Sequence, residues 1–165
     1  MRQGNGRMVR RSEAARLFAR LRRRSVKLVF TNGVFDLLHV GHIALLAKAR
    51  ALGDALVVGV NTDPSVRRLK GKGRPIVPLR ERMELLAGLK PVDFVVPFAE
   101  DTPFRIIEAV RPAVLVKGGD YRKSEIVGRD TVENAGGKVV RVRLRQGRST
   151  SDLIARARKA VREKR

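Results

Sequence analysis

The chain has 165 residues, 37 of them Lys or Arg against 16 Asp or Glu, with two histidines and no cysteine. The length suits one domain, a 43% hydrophobic content excludes wholesale disorder, and the lack of cysteine excludes disulfides, thiolate nucleophiles and cysteine-ligated metals. The net charge of +21 attracts polyanions of any kind, while the scarcity of aromatic residues (six Phe, one Tyr, no Trp) disfavours base-stacking platforms.

The first eleven residues read as a basic disordered N-terminus, and residues 12–165 as a single domain. The arginine-rich start lacks the apolar stretch of a secretory signal. No apolar run approaches the roughly 20 residues that span a bilayer, so a cytoplasmic protein without a membrane span is expected. Ser12 is placed to cap a helix to about Arg23, with Ala15, Leu17, Phe18 and Leu21 at helical spacing. "VKLVF" then reads as a buried strand, followed by strands at 55–60, 93–97, 113–117 and 138–144. Helical patterns fill 42–52, 78–89, 103–110, 125–135 and 151 to the end. Alternating strands and helices predict an α/β fold, Rossmann-like and doubly wound, with a parallel five-stranded sheet and helices on both faces. In such sheets ligands bind beyond the carboxyl ends of the strands. That rule selects the segments 31–41, 61–78, 98–103, 117–124 and 146–151.

The stretch "TNGVFDLLHVGH", which covers the first of these and ends one residue past it, holds both histidines. Gly33 allows a sharp turn close to a ligand, and His42 falls near a helix start, where free N–H groups favour anions. His39 and His42 are either phosphate donors or a satisfied structural pair. A metal site lacks a third ligand beyond Asp36. "RRLKGKGRP" is either a mobile basic flap over phosphates or a solvated loop. On a wheel over 79–89, Arg82 falls in the middle of the stripe made by Leu79, Met83, Leu85, Leu86 and Leu89. A charge there needs a partner, and the preceding basic loop favours an anionic ligand over a structural carboxylate. "VKGGDY" is either a ligand-facing turn or an ordinary one capped by Asp120. Ser149, Thr150 or Ser151 caps the last helix, and three hydroxyls there also suit a phosphate.

Taken in order, these pieces resemble the cytidylyltransferase-like nucleotidyltransferase family: "TNGVFDLLHVGH" is similar to its Gly-x-Phe-Asp and His-x-Gly-His signature, and "RSTSDLI" to its C-terminal motif. Within it, "VNTD", "RLKG", "RPIVPLRERMELLAGL", "VDFVVPFAEDTP" and "LVKGGDY" are most similar to the adenylyltransferases of ADP-heptose synthesis. The resemblance implies transfer of AMP from ATP to D-glycero-β-D-manno-heptose 1-phosphate, with Mg²⁺ held mainly by the nucleotide phosphates. The length implies the stand-alone form, without a fused sugar-kinase domain. Val34 stands where that group often has Cys, and Leu144 stands where glycerol-3-phosphate cytidylyltransferases carry Arg. By resemblance, His39, His42 and Lys70 are catalytic. Thr31, Asn32, Gly33, Phe35, Lys72, Gly118, Asp120, Tyr121, Ser149 and Thr150 bind ATP. Asp36, Arg82 and Lys117 hold the acceptor. A homodimer is the family's usual assembly. The alternatives are cytidylyl or adenylyl transfer to glycerol 3-phosphate, a polyol phosphate or FMN, and, in another class, nucleic-acid binding on the same scaffold.

Overall fold

A computed structural model describes residues 6–119, 122–143 and 150–162. The elements in chain order are β1 (Arg7–Met8), α1 (Arg11–Arg23), β2 (Leu28–Gly33), α2 (Val40–Arg50), β3 (Ala55–Asn61), α3 (Asp63–Lys70), α4 (Leu79–Ala87), β4 (Phe94–Phe98), α5 (Phe104–Val110), β5 (Val114–Gly118), α6 (Arg129–Asn134), β6 (Lys138–Val142) and α7 (Thr150–Arg162), with a 3₁₀ turn at Lys123–Glu125. The strands form one parallel sheet in the order β1-β4-β3-β2-β5-β6.

The strands read as continuous apolar runs because both sheet faces are covered. Alternate residues of β2, β3 and β5 feed opposite sides. Phe30, Val57 and Leu115 pack with Phe18 of α1 and Ile106 and Ile107 of α5. Val29, Val58 and Val116 pack with Leu46 of α2 and Leu86 of α4. β3 is buried along its whole length, and a Cβ on its Gly59 would lie 2.8 Å from Phe30 Cζ and 3.2 Å from Asn32 Cβ. Glycine is therefore required by close packing there.

Four expectations change. The sheet has six strands rather than five, because residues assigned to a disordered tail pair with β4: Arg7 lies opposite Phe94 and Met8 opposite Val95, and Val9 is buried. The first half of the supposed basic loop is helix α3. Leu85, placed on the core stripe, is 51% exposed. The helix expected from residue 125 starts only at Arg129, because Gly128 takes a left-handed φ of 84°.

From β2 the chain builds β3 and β4 outward on one side, then returns to lay β5 on the other. The order therefore reverses beside β2. Ligand crevices in doubly wound sheets form outside the strand ends at such a point, and the residues singled out above lie there.

Candidate active site

A cavity of about 500 Å³ opens at the carboxyl ends of β2, β3, β4 and β5, which supply Asn32 and Gly33, Asn61, Phe98, and Lys117 and Gly118. That volume falls in the range of small-molecule sites, about 300–1,000 Å³. Of the residues expected from the sequence, His42, Lys70, Asn32, Gly33, Phe35, Asp36, Lys117, Gly118 and Thr150 line it. Asp120, Tyr121 and Ser149 lie outside the described residues.

The histidines sit where β2 turns into α2. His39 is the N-cap of α2, its Nδ1 accepting from the Gly41 N–H at 3.1 Å. Nδ1 accepts, so the proton of the neutral ring is on Nε2. The two imidazoles stack with centroids 3.8 Å apart and planes at 23°. The His42 ring also meets Phe35 at 5.1 Å. Burial, with His39 adding to it, pushes the His42 pKa down to about 4. His42 is therefore neutral near pH 7, with one ring N–H to donate and no cationic charge. Its Nδ1 is buried without a protein partner, as is Oγ1 of Thr31, which lies within β2 and not on the cavity wall. Phe35 is 4% exposed and adopts φ 49°, a strained conformation for a bulky residue. Its ring packs between Gly33 and His42, so it shapes the floor of the site.

Lys117 sits at the end of β5, where burial lowers its pKa. Its Nζ donates to Asn32 Oδ1 at 3.1 Å, joining the two strands that flank the reversal. Lys70 ends α3 and faces the cavity, and Thr150 opens α7 with its hydroxyl donating to the Leu37 carbonyl at 3.3 Å. Lysines from two elements and a helix start thus converge on one space, a surrounding suited to phosphates.

Three further residues named from the sequence are placed or engaged otherwise than expected. Arg82 is fully buried, and its guanidinium donates to the carbonyls of Val77 (2.9 Å), Val34 (2.6 Å) and Asn61 (2.9 Å) and to Asp63 Oδ1 (2.6 Å). The core-facing charge is satisfied by the protein. Asp36 borders the cavity, but its carboxylate is occupied. Oδ1 accepts from the N–H groups of Ile76 and Val77, both at 2.8 Å, and Oδ2 accepts from Arg74 Nε at 2.7 Å. Burial raises its pKa, but these donors together outweigh that and hold it below the usual carboxylate value. Lys72 is exposed on a turn between Gly71 and Gly73, both at positive φ, and does not line the cavity.

The cavity also takes Asn61, Leu69, Arg74, Phe98, Asp101 and Pro103, none of them singled out from the sequence. Asn61, Leu69, Arg74, Phe98, Asp101 and Pro103 all fall in segments that the strand-end rule selected, so topology was the available signal for them.

A family profile described as cytidylyltransferase-like matches residues 30–159. The chain belongs to the cytidylyltransferase-like family. It is 55% identical over 135 residues, 82% of its length, to the bifunctional protein HldE of Syntrophotalea carbinolica, and 58% identical over 134 residues to that of Alkalilimnicola ehrlichii. It spans only 28% of the length of either relative. Among solved structures, the lipopolysaccharide core biosynthesis protein of Thermoplasma volcanium is 33% identical with a TM-score of 0.60, the match covering 73% of this chain and 97% of that one. Pantothenate synthetase of Thermus thermophilus, 22% identical with a TM-score of 0.58 over 83% of this chain and 61% of its own, shares the fold.

Proposed function

We propose that the chain transfers AMP from ATP to D-glycero-β-D-manno-heptose 1-phosphate, giving ADP-heptose and pyrophosphate. The observation that carries the transfer chemistry is the convergence of His42, Lys70, Lys117 and the start of α7 on one cavity at the sheet's reversal point. The acceptor rests on the sequence likeness to the ADP-heptose adenylyltransferases, and the name of the Thermoplasma volcanium relative, which refers to lipopolysaccharide core biosynthesis, agrees with a sugar phosphate.

In this reading an oxygen of the sugar phosphate attacks the α-phosphorus of ATP in line. A new P–O bond forms, the bond to the bridging oxygen of the β-phosphate breaks, and pyrophosphate leaves with that oxygen. The attacking phosphate monoester is already ionised, because its second pKa is about 6, so no general base is required. Catalysis is then positioning and electrostatic stabilisation. His39 and His42 donate to the phosphates at the α2 start. Lys70 and Thr150 take the β and γ end, and half-buried Lys117 holds the acceptor phosphate. Its partial burial makes that charge more effective than that of a surface lysine.

Among the described residues, the acids lining the cavity are Asp36, occupied by the 74–77 segment, and Asp101, which pairs with Arg68 at 2.7 Å. No group of three or more metal-ligating side chains occurs among the described residues. The donor set therefore does not fit a protein cage for Mg²⁺, and in this reading the ion arrives on the nucleotide's phosphates. No helix among the described residues is long and apolar enough to cross a membrane. A cytoplasmic location, where ATP is available, and a homodimer complete the reading, the latter by family resemblance.

The test is pyrophosphate release from the purified protein with Mg²⁺ and the heptose phosphate, with ATP and with CTP in parallel. Release with ATP alone is expected. Release with CTP alone overturns the nucleotide, and release with another acceptor only, such as glycerol 3-phosphate, overturns the sugar.

A further inference from the structure

We propose that the arginine stripe of α1, extended by Arg24 and Arg111, binds the phosphate backbone of nucleic acid without reading its sequence, on a surface remote from the nucleotide cavity. Arg16, Arg20 and Arg23 occupy positions i, i+4 and i+7 of α1 and so share a face. All three are exposed, as are Arg24, at the end of the helix, and Arg111, just after α5. Arg22 joins the two helix ends by donating to the Val110 carbonyl. Its pKa is lowered by burial and then by Arg111 and Arg23, which shows how closely the guanidiniums crowd.

Compensating charge is sparse on this surface, two acids against five exposed arginines. The one acid of α1, Glu13, lies in the first turn and approaches Arg7 at 3.9 Å. Glu108 of α5 makes no ion pair among the described residues. Asp54, just before β3, accepts from the Lys27 backbone N–H and makes no ion pair with the stripe among the described residues. By contrast, Arg50, Arg68, Arg74, Arg80, Arg82 and Arg129 each hold a carboxylate. Like charges stacked along one helix face repel one another, and a bound polyanion removes that repulsion.

The shape and chemistry select the partner. From Arg16 to Arg23 the stripe runs about 10 Å at 1.5 Å per residue, a line of charge suited to a linear polyanion. No large apolar side chain of α1 is exposed, so nothing is offered to a bilayer, as interfacial helices require. No exposed aromatic ring is available there to stack a base, which leaves the backbone as the recognised feature. α1 follows β1, which runs parallel to β4, and returns to the start of β2. Its C-terminal end therefore lies away from the strand ends that form the cavity, and no residue of α1 lines that cavity.

The experiment measures fluorescence anisotropy of a labelled mixed-sequence RNA of about 20 nucleotides with the full chain, between about 50 and 200 mM salt, the range in which phosphate contacts are most visible. Five phosphate contacts predict a slope of log affinity against log salt of about −3.5, at about 0.7 per contact for a single strand. R16Q/R20Q/R23Q is expected to reduce the slope's magnitude by about 2, to weaken binding at least about tenfold, and to leave pyrophosphate release unchanged. K48Q/K90Q/R143Q removes the same charge from exposed positions elsewhere and is expected to change binding far less. Equal losses in the two triple variants, or no loss in the first, overturn the site. Binding to vesicles containing phosphatidylserine without binding to RNA assigns the surface to a membrane and overturns it too.

Discussion

Arg82→Met removes the guanidinium from a fully buried position and leaves three carbonyls and a carboxylate without their donor. Breaking a buried charged pair by deleting one partner costs about 3–5 kcal/mol. Asp63 is about a quarter exposed (26%) and regains some water, which places the loss toward the lower end. Against a total stability of about 5–15 kcal/mol this is a large fraction. With an m-value of about 2 kcal/mol/M, the urea midpoint falls by about 2 M. The assay is urea unfolding followed by circular dichroism, with steady-state kinetics run where the variant remains folded. Arg82→Lys is expected to recover little, because one ammonium cannot serve acceptors on three separate segments as a planar fork does. An unchanged midpoint in Arg82→Met, with a raised KM for the acceptor alone, would refute the structural reading and return Arg82 to the substrate.

Replacing His39 or His42 by Ala is expected to lower kcat by about 10²-fold with a smaller effect on KM, because a donor aimed at transition-state charge is lost; steady-state pyrophosphate release checks this, and normal turnover removes the residue from the mechanism. The depressed His42 pKa makes stability depend on pH. Above the ordinary value of 6.5 both folded and unfolded states carry a neutral ring, and between 6.5 and about 4 only the unfolded state gains the proton. Stability therefore falls as pH drops through that window, by about 3 kcal/mol at about 1.4 kcal/mol per pKa unit. Asp36, shifted down from 3.8, loses its contribution only below that value, so urea midpoints from pH 7.5 to 4 isolate the histidine, and His42→Gln flattens the profile. Gly59→Ala forces a methyl group against Phe30 and Asn32. It is expected to cost about 1–3 kcal/mol and to lower kcat/KM, because Asn32 carries the contact to Lys117; a stable, fully active variant would show that β3 gives way.

Much of the sheet was legible because parallel strands buried on both faces must be apolar throughout, and "ALVVGV" and "AVLVK" cannot be mistaken for exposed strands. β1 was not legible: two residues, one of them Arg, hold too little pattern, and their pairing is set by backbone groups of residues 93–95. α3 was missed although its signals were present. Pro64 sits in its first turn beside Asp63, Arg67, Arg68 and Lys70 occupy its last turn, and Gly71 follows. The basic character of "RRLKGKGRP" suggested a loop, whereas cations at a helix C-terminus favour the helix dipole.

In the site, what was legible divides by the kind of partner each residue takes. His42, Lys70 and Lys117 face the cavity; the strand-end rule selected the segments of Lys70 and Lys117, whose place follows from topology, and His42, one residue past such a segment, was marked by its pairing with His39. Arg82 and Asp36 looked equally functional, since each is a charge where a charge is costly. Their partners, however, are mostly backbone atoms: the carbonyls of Val34, Asn61 and Val77, and the N–H groups of Ile76 and Val77. Every residue carries such atoms, so nothing in the sequence marks them as partners. These bonds tie the loop after β2, the end of β3 and the segment before α4 to one another. In the proposed mechanism Asp36 and Arg82 therefore act on the reaction through that framework, while the cavity-facing lysines act on the phosphates directly. If so, Lys117→Met leaves the urea midpoint nearly unchanged and lowers kcat/KM, whereas Arg82→Met lowers both. The opposite pairing of effects would mean that the two sets of charges have been assigned the wrong way round.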